Sequence, residues 1–221
     1  SILSLVPAIY MKDFQGLKTS GKLQLDGYVK GTYNEKMMPN AGVKLLVQNA
    51  MFSYPGLPKS AENIQVDMDG YYDGRQMDNS TLDINKFHAE LGGNPIDLTL
   101  NIKTPESDMM VNGFLKCILD LATVKEVIPL DNTTITGKIN APIDMMGYMS
   151  YIEKEEYEKF KADGNLTITD FHYNSSELPK ELRIIETSVF FSPRYSEIKS
   201  FNAVMGKSDF KLSGRVENYI P

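Results

Sequence analysis

The chain has 221 residues, 42% apolar and 10% aromatic, a composition that supports a folded core and argues against a disordered chain. Its 29 acidic and 23 basic residues give a net charge of -6, which repels a phosphate backbone and argues against a nucleic-acid partner. Cys117 is the single cysteine, so there is no internal disulfide framework and both the cytoplasm and the bacterial periplasm stay open. The sequence contains no apolar run of about 18 residues, the length a membrane-spanning helix needs.

The opening segment SILSLVPAIYMKDF lacks the basic start and small-residue cleavage site of a signal peptide. It reads as the start of a piece cut from a longer protein, with any membrane anchor upstream. Within it LVPAIYMKDF predicts a short helical stretch, with Pro7 suited to a first turn. Period-two alternation then dominates. Leu23 and Leu25, Leu45 and Val47, Ile64, Val66 and Met68, and Ile96, Leu98, Leu100 and Ile102 each place apolar side chains on one face of a strand. Gln24, Asp67, Asp97, Thr99 and Asn101 fall on the other face, so one side of the sheet is wet. Val111 to Leu121 alternates over eleven residues, with Phe114 and Ile118 adding apolar character to its opposite face. ATVKEV, Ala122 to Val127, predicts one or two helical turns ended by Pro129. YIEKEEYEKFKADG predicts the best helix, with Glu155 paired to Lys159 and Gly164 as its exit. SYPGLPKS, YYDGRQMDNS, LGGNP and NSSELPK read as connections between strands.

One phrase occurs twice. INKFHAELGG, from Ile84, and IKSFNAVMGK, from Ile198, both read I-x-x-F-x-A-x-x-G. Matched apolar positions follow each copy, Ile96, Leu98 and Ile102 against Phe210, Leu212 and Val216. A Leu-Pro-Lys precedes each, at Leu57 and Leu178, and Ser20-Gly21-Lys22-Leu23 answers Thr136-Gly137-Lys138-Ile139. The chain therefore reads as two tandem units, 1–106 and 107–221, joined into one β structure. The first carries extra residues around Asp73 to Asn79.

Residues that could carry chemistry are few. Asp67, Asp69, Asp73 and Asp78 invite calcium, but the glycine falls at the wrong position for an EF-hand loop and no glutamate closes it, so an acidic hairpin tip is the expected reading. His88 and His172 have no further ligand at metal spacing, and Cys117 alternates with Leu115 and Leu119 as a small buried hydrophobe would. The N-x-S/T triplets at Asn79, Asn132, Asn165 and Asn174 read as incidental to an Asn- and Thr-rich β chain. No Walker loop, G-x-S-x-G or G-x-G-x-x-G is present, and neither a catalytic centre, a cofactor nor a metal is expected. What remains is the apolar face. It reads either as the core of a closed β-sandwich or as an open groove for acyl chains, and alternation alone fits both.

LDLATVKEVIPLDNTTITGKINAPIDMMGYMSYIEKEEYEKFKADGNLTITDFHY and LVPAIYMKDFQGLKTSGKLQLDGYVKGTY, with the two repeated phrases, resemble the C-terminal region of the AsmA family of the Bacteroidetes type. That family is related to TamB-like and chorein-type bridge proteins. The resemblance covers essentially the whole chain, in the order helical turn, Gly-Lys strand, Leu-Pro turn, F-x-A-x-x-G strand. It implies a periplasmic protein held in the inner membrane by an anchor missing from this sequence, a role in outer-membrane biogenesis, and phospholipid as the partner. No catalytic residues come with it. The fold expected is all-β, a mainly antiparallel curved sheet of two tandem units with a few short helices. The candidate groove residues are Leu23, Leu25, Leu45, Val47, Ile64, Val66, Leu98, Leu100, Leu166, Ile168 and Leu212. The competing expectation is a structural or adhesive sandwich without a ligand.

Overall fold

The computed structural model describes residues 18–34, 37–53, 59–124, 133–175 and 180–217. Eleven strands account for most of them: β1 (Lys18–Lys30), β2 (Asn40–Ser53), β3 (Ala61–Tyr72), β4 (Thr81–Leu91), β5 (Asn94–Lys103), β6 (Met110–Asp120), β7 (Thr133–Tyr148), β8 (Lys161–Ser175), β9 (Leu182–Phe191), β10 (Tyr195–Met205) and β11 (Ser208–Glu217). Each pairs antiparallel with the next in the chain, so the sheet is a single meander in the order β1 to β11. It does not close into a barrel. The fold is all-β and antiparallel, as the alternation requires.

Facing residues across an antiparallel ladder point to the same side, so the register decides which side chains share a face. Leu23 and Leu25 oppose Val47 and Leu45, which oppose Val66 and Met68, which oppose Phe87 and Ile84. The row continues through Leu98 and Leu100 on β5, Leu115 on β6, Ile143 on β7, Ile168 on β8 and Thr187 on β9, and ends with Phe201 and Leu212 on β10 and β11. One face is therefore apolar from edge to edge. The other carries residues such as Lys44, Asp69, Asp97 and Glu186, with Lys44 and Asp69 paired at 3.5 Å.

Strands of this length do not keep the parity unaided. β2 gains a residue at Asn49, β3 at Asn63 and β8 at Asp170, and all three take positive φ, 48°, 50° and 50°. β4 is bulged between Ile84 and Phe87, and β10 between Ile198 and Phe201. Such a bulge places two residues opposite one and restores the side-chain direction only if the apolar spacing lengthens with it. The repeated I-x-x-F does this: two residues separate Ile from Phe, and both still face the apolar side. Bulges cross β2, β3 and β4 in the first unit and β8, β9 and β10 in the second, so the duplication extends to backbone irregularities.

The Gly-Lys repeat belongs to the same device. Gly21 and Gly137 have φ of +117° and +127° and lie against the bulged strand opposite. A Cβ at Gly21 would stand 2.5 Å from the Cα of Ala50, and one at Gly137 2.7 Å from the Cα of Phe171. Each Leu-Pro-Lys lysine lies against the turn glycine of its unit, Lys59 at Gly92 and Lys180 at Gly206.

Helix is scarce. α1 (Leu121–Val124) follows β6 where ATVKEV was expected to turn; residues 125–132 lie outside the described set. The long helix expected from YIEKEEYEKFKADG does not form. α2 (Met149–Glu153) and a 3-10 turn (Tyr157–Lys159) fill the connection, and Lys161 already begins β8. Glu155 takes φ of 61°, which breaks the helix, and Lys159 pairs with Glu156 at 2.7 Å instead of with Glu155. Gly164 is no helix exit. It lies in β8 under the ring of Phe191, whose Cζ would stand 2.1 Å from a Cβ there. Ladder pairing and the Phe191 contact override a favourable local helix propensity. The helical stretch expected near Pro7 and the two Leu-Pro turns lie outside the described residues.

Gly137→Ala should lower unfolding free energy by roughly 2 kcal/mol or more, because strain at positive φ adds to a backbone clash. Gly214 of β11, with nothing within 4 Å of its added Cβ, is the control; Gly214→Ala should stay within about 0.5 kcal/mol of the parent in urea titrations.

Candidate functional site

A face of this width is normally covered by a second layer, since an exposed apolar sheet loses the hydrophobic stabilisation that folding supplies. Here the described residues provide no such layer. The buried apolar side chains among them are Leu121, Phe160 and Ala203, and no large side chain is fully buried. Leu45, Val47, Ile64, Val66, Leu98, Leu100, Leu166 and Ile168 are half-buried by neighbours on their own sheet. Towards the edges exposure rises, to 62% at Leu25 and 49% at Leu212.

The register brings all eleven sequence-predicted groove residues to the one face. Leu23, Leu25, Leu45, Val47, Ile64 and Val66 occupy β1 to β3; Leu98 and Leu100 lie on β5, Leu166 and Ile168 on β8, and Leu212 on β11. At the β1 side the face sinks into an open hollow of about 890 Å³, lined by Leu23, Val47, Ala50, Met51, Phe52 and Ile64 among others. Several members escaped the sequence reading: Ile84, Phe87, Ile143, Val189 and Phe201. For Ile84, Phe87 and Phe201 the signal that finds them is the two-residue spacing at each bulge, which breaks simple alternation. Cys117 is on the same face, half-buried between Ile96 and Ala141 on the flanking strands.

The polar face holds the other candidates. His88 Nδ1 lies 2.7 Å from the Asp97 carboxylate and its Nε2 3.6 Å from Glu90; His172 Nδ1 lies 2.8 Å from Glu181. Asp97 comes from the adjacent strand and Glu181 from the connection before β9, so local spacing did not reveal them, whereas Glu90 lies two residues from His88 on β4 itself. Among the described residues no three His, Cys, Asp or Glu side chains are arranged to hold a metal ion. Asp67 and Asp69 point from β3 to the polar face, while Asp73 and Asp78 build the β3–β4 connection.

Asp73 accepts from the backbone N–H groups of Arg75 and Gln76 at 3.0 and 3.1 Å and from the Asn79 amide at 3.2 Å. These bonds, the Arg75 N–H foremost, hold its carboxyl below the usual range. Asp78 reaches the next connection and accepts from the backbone N–H groups of Ser107 and Glu106 at 2.9 and 3.1 Å, and the Ser107 donors hold it low as well. Asp73 thus braces the β3–β4 connection internally, and Asp78 ties it to the β5–β6 connection. A group whose folded pKa lies below its unfolded one stabilises above the unfolded value, near 3.9, and loses that contribution as pH falls through the folded value. Asp78→Asn should therefore unfold at lower urea than the parent at pH 7, and the gap should narrow progressively as the titrations are taken below the unfolded value.

Comparisons with family models, with curated proteins and with solved structures found no match for this chain.

Proposed function

We propose that the chain is a non-enzymatic, lipid-handling segment of a bacterial envelope protein, which shields acyl chains on its apolar face in support of outer-membrane biogenesis. On this reading the protein works in the periplasm and is tethered to the inner membrane by an anchor outside the present sequence. The observation that carries the proposal is the uncovered apolar face, continuous over eleven strands. Ten spacings of about 4.8 Å give it a width on the order of 50 Å, against about 15 Å for one leaflet of a bilayer's ~30 Å hydrocarbon core. Several acyl chains fit side by side. Burying about ten methylenes contributes on the order of 8 kcal/mol before ordering costs, which suffices for capture.

The AsmA resemblance supports the same reading through the order of its elements. The competing structural sandwich needs a second apolar layer, which the described residues do not provide.

Protein purified without detergent should retain phospholipid in native mass spectrometry and after organic extraction. Val47→Glu and Leu100→Glu should cut the retained lipid severalfold while leaving the fold cooperative, because a carboxylate on an open face stays in reach of water. A clean apo mass in the parent, with both variants unfolded by a buried charge, would contradict the proposal and support a closed core.

A further inference from the structure

The duplication pairs β1 with β7, whose bulge glycines Gly21 and Gly137 lie 116 residues apart, and pairs β4 and β5 with β10 and β11 through the repeated phrase. β6 has no counterpart in this scheme. It lies between β5 and β7, and the counterparts of those two strands are β11 and β1, the open edges of the sheet. Both edges are exposed over their whole length, 10 and 13 residues. Long unpaired edges of this kind are sites for added strands.

The parity of the sheet limits what can join. With eleven antiparallel strands, β1 and β11 run in the same direction. A second copy placed with its β11 against β1 and its apolar face on the same side would therefore meet it in parallel, whereas the junction inside the chain is antiparallel and passes through one strand, β6. The sequence repeats that order: Ser1-Ile2-Leu3-Ser4-Leu5 echoes Cys117-Ile118-Leu119-Asp120-Leu121 at the same 116-residue separation. The last four residues of the β6 pattern, Cys117 to Asp120, thus have an echo ahead of the first Gly-Lys strand as well.

We propose that the outer edge of β1 is a docking site for an antiparallel strand of the β6 pattern, supplied by another repeat unit of this kind. Carrying the β6–β7 register back by 116 residues sets Leu119 against Leu23 and Cys117 against Leu25, which extends the apolar face by one strand. On the polar side it sets Lys116 against Asp26 and Asp120 against Lys22, two opposite-charge pairs. The β11 edge fits less well. There the β5–β6 register, carried forward by 114 residues, sets Lys116 against Lys211. The inference stands apart from whatever occupies the apolar face.

A synthetic Met110–Asp120 peptide with Cys117→Ser, added to the intact protein, tests it by amide hydrogen exchange. At about ten times its Kd the peptide should slow exchange of outward-facing β1 amides roughly tenfold, with a smaller effect on β11. Asp26→Lys should weaken binding, and a peptide carrying Lys116→Asp should restore it. Absence of slowing in β1, equal slowing by a scrambled peptide, failure of the charge exchange to rescue, or a dimer that protects β1 without peptide would each overturn the proposal. Loss of this binding with lipid retention intact would leave the lipid reading standing.

Discussion

Keeping oily side chains on one side of a pleated ribbon is the constraint from which the rest of this structure follows. A strand turns its side chains over at every residue, so one extra residue sends the remainder of a strand to the wrong face. Strands of 10 to 16 residues that twist against one another do not run without such interruptions. The chain answers in two ways. It places Asn49, Asn63 and Asp170, residue types that tolerate positive φ, at extra positions, and it lengthens the apolar spacing from one intervening residue to two at Ile84–Phe87 and Ile198–Phe201. Gly21 and Gly137 then give the neighbouring backbone room to approach.

A sheet built in this way has little interior. Its hydrogen bonds are made between successive strands, its polar face meets water, and among the described residues its apolar face has only neighbouring side chains for cover. The stabilisation this forgoes is large on the scale of a protein's net stability. That imbalance makes an apolar occupant the natural complement of the fold, and in the function we propose acyl chains lying side by side fill that place. The connections at one end are tied by local polar bonds. Asp78 reaches the β5–β6 connection, and Asp108 accepts from the Ser150 N–H and hydroxyl at the start of α2, at 3.1 and 2.6 Å. Among the described residues nothing pairs with the outer edges of β1 and β11.

Much of the fold was legible in the sequence because alternation is a strong signal. Leu23 to Leu25, Leu45 to Val47 and Ile96 to Ile102 read as strands with one dry face, and the ladder places them so. The repeated phrase announced the duplication, though its meaning as a bulge needed the register. The helix read into YIEKEEYEKFKADG failed beyond Glu153 because its charges satisfy helical spacing while Gly164 and its neighbours belong to a long strand pair with β7 and β9. His88 and His172 looked isolated because their carboxylate partners, Asp97 and Glu181, meet them only when neighbouring segments pair. The face could be listed strand by strand; that no other described residues cover it is a property of the three-dimensional arrangement.

Photocrosslinking from the two faces in Gram-negative cells tests the central claim most directly. A benzophenone amino acid at Leu100 or Val66 should yield phospholipid adducts, while the same group at Thr99 or Asp67, one residue away on the polar face, should yield none. Adducts to protein alone at Leu100 and Val66, or equal lipid labelling from both faces, would contradict the account.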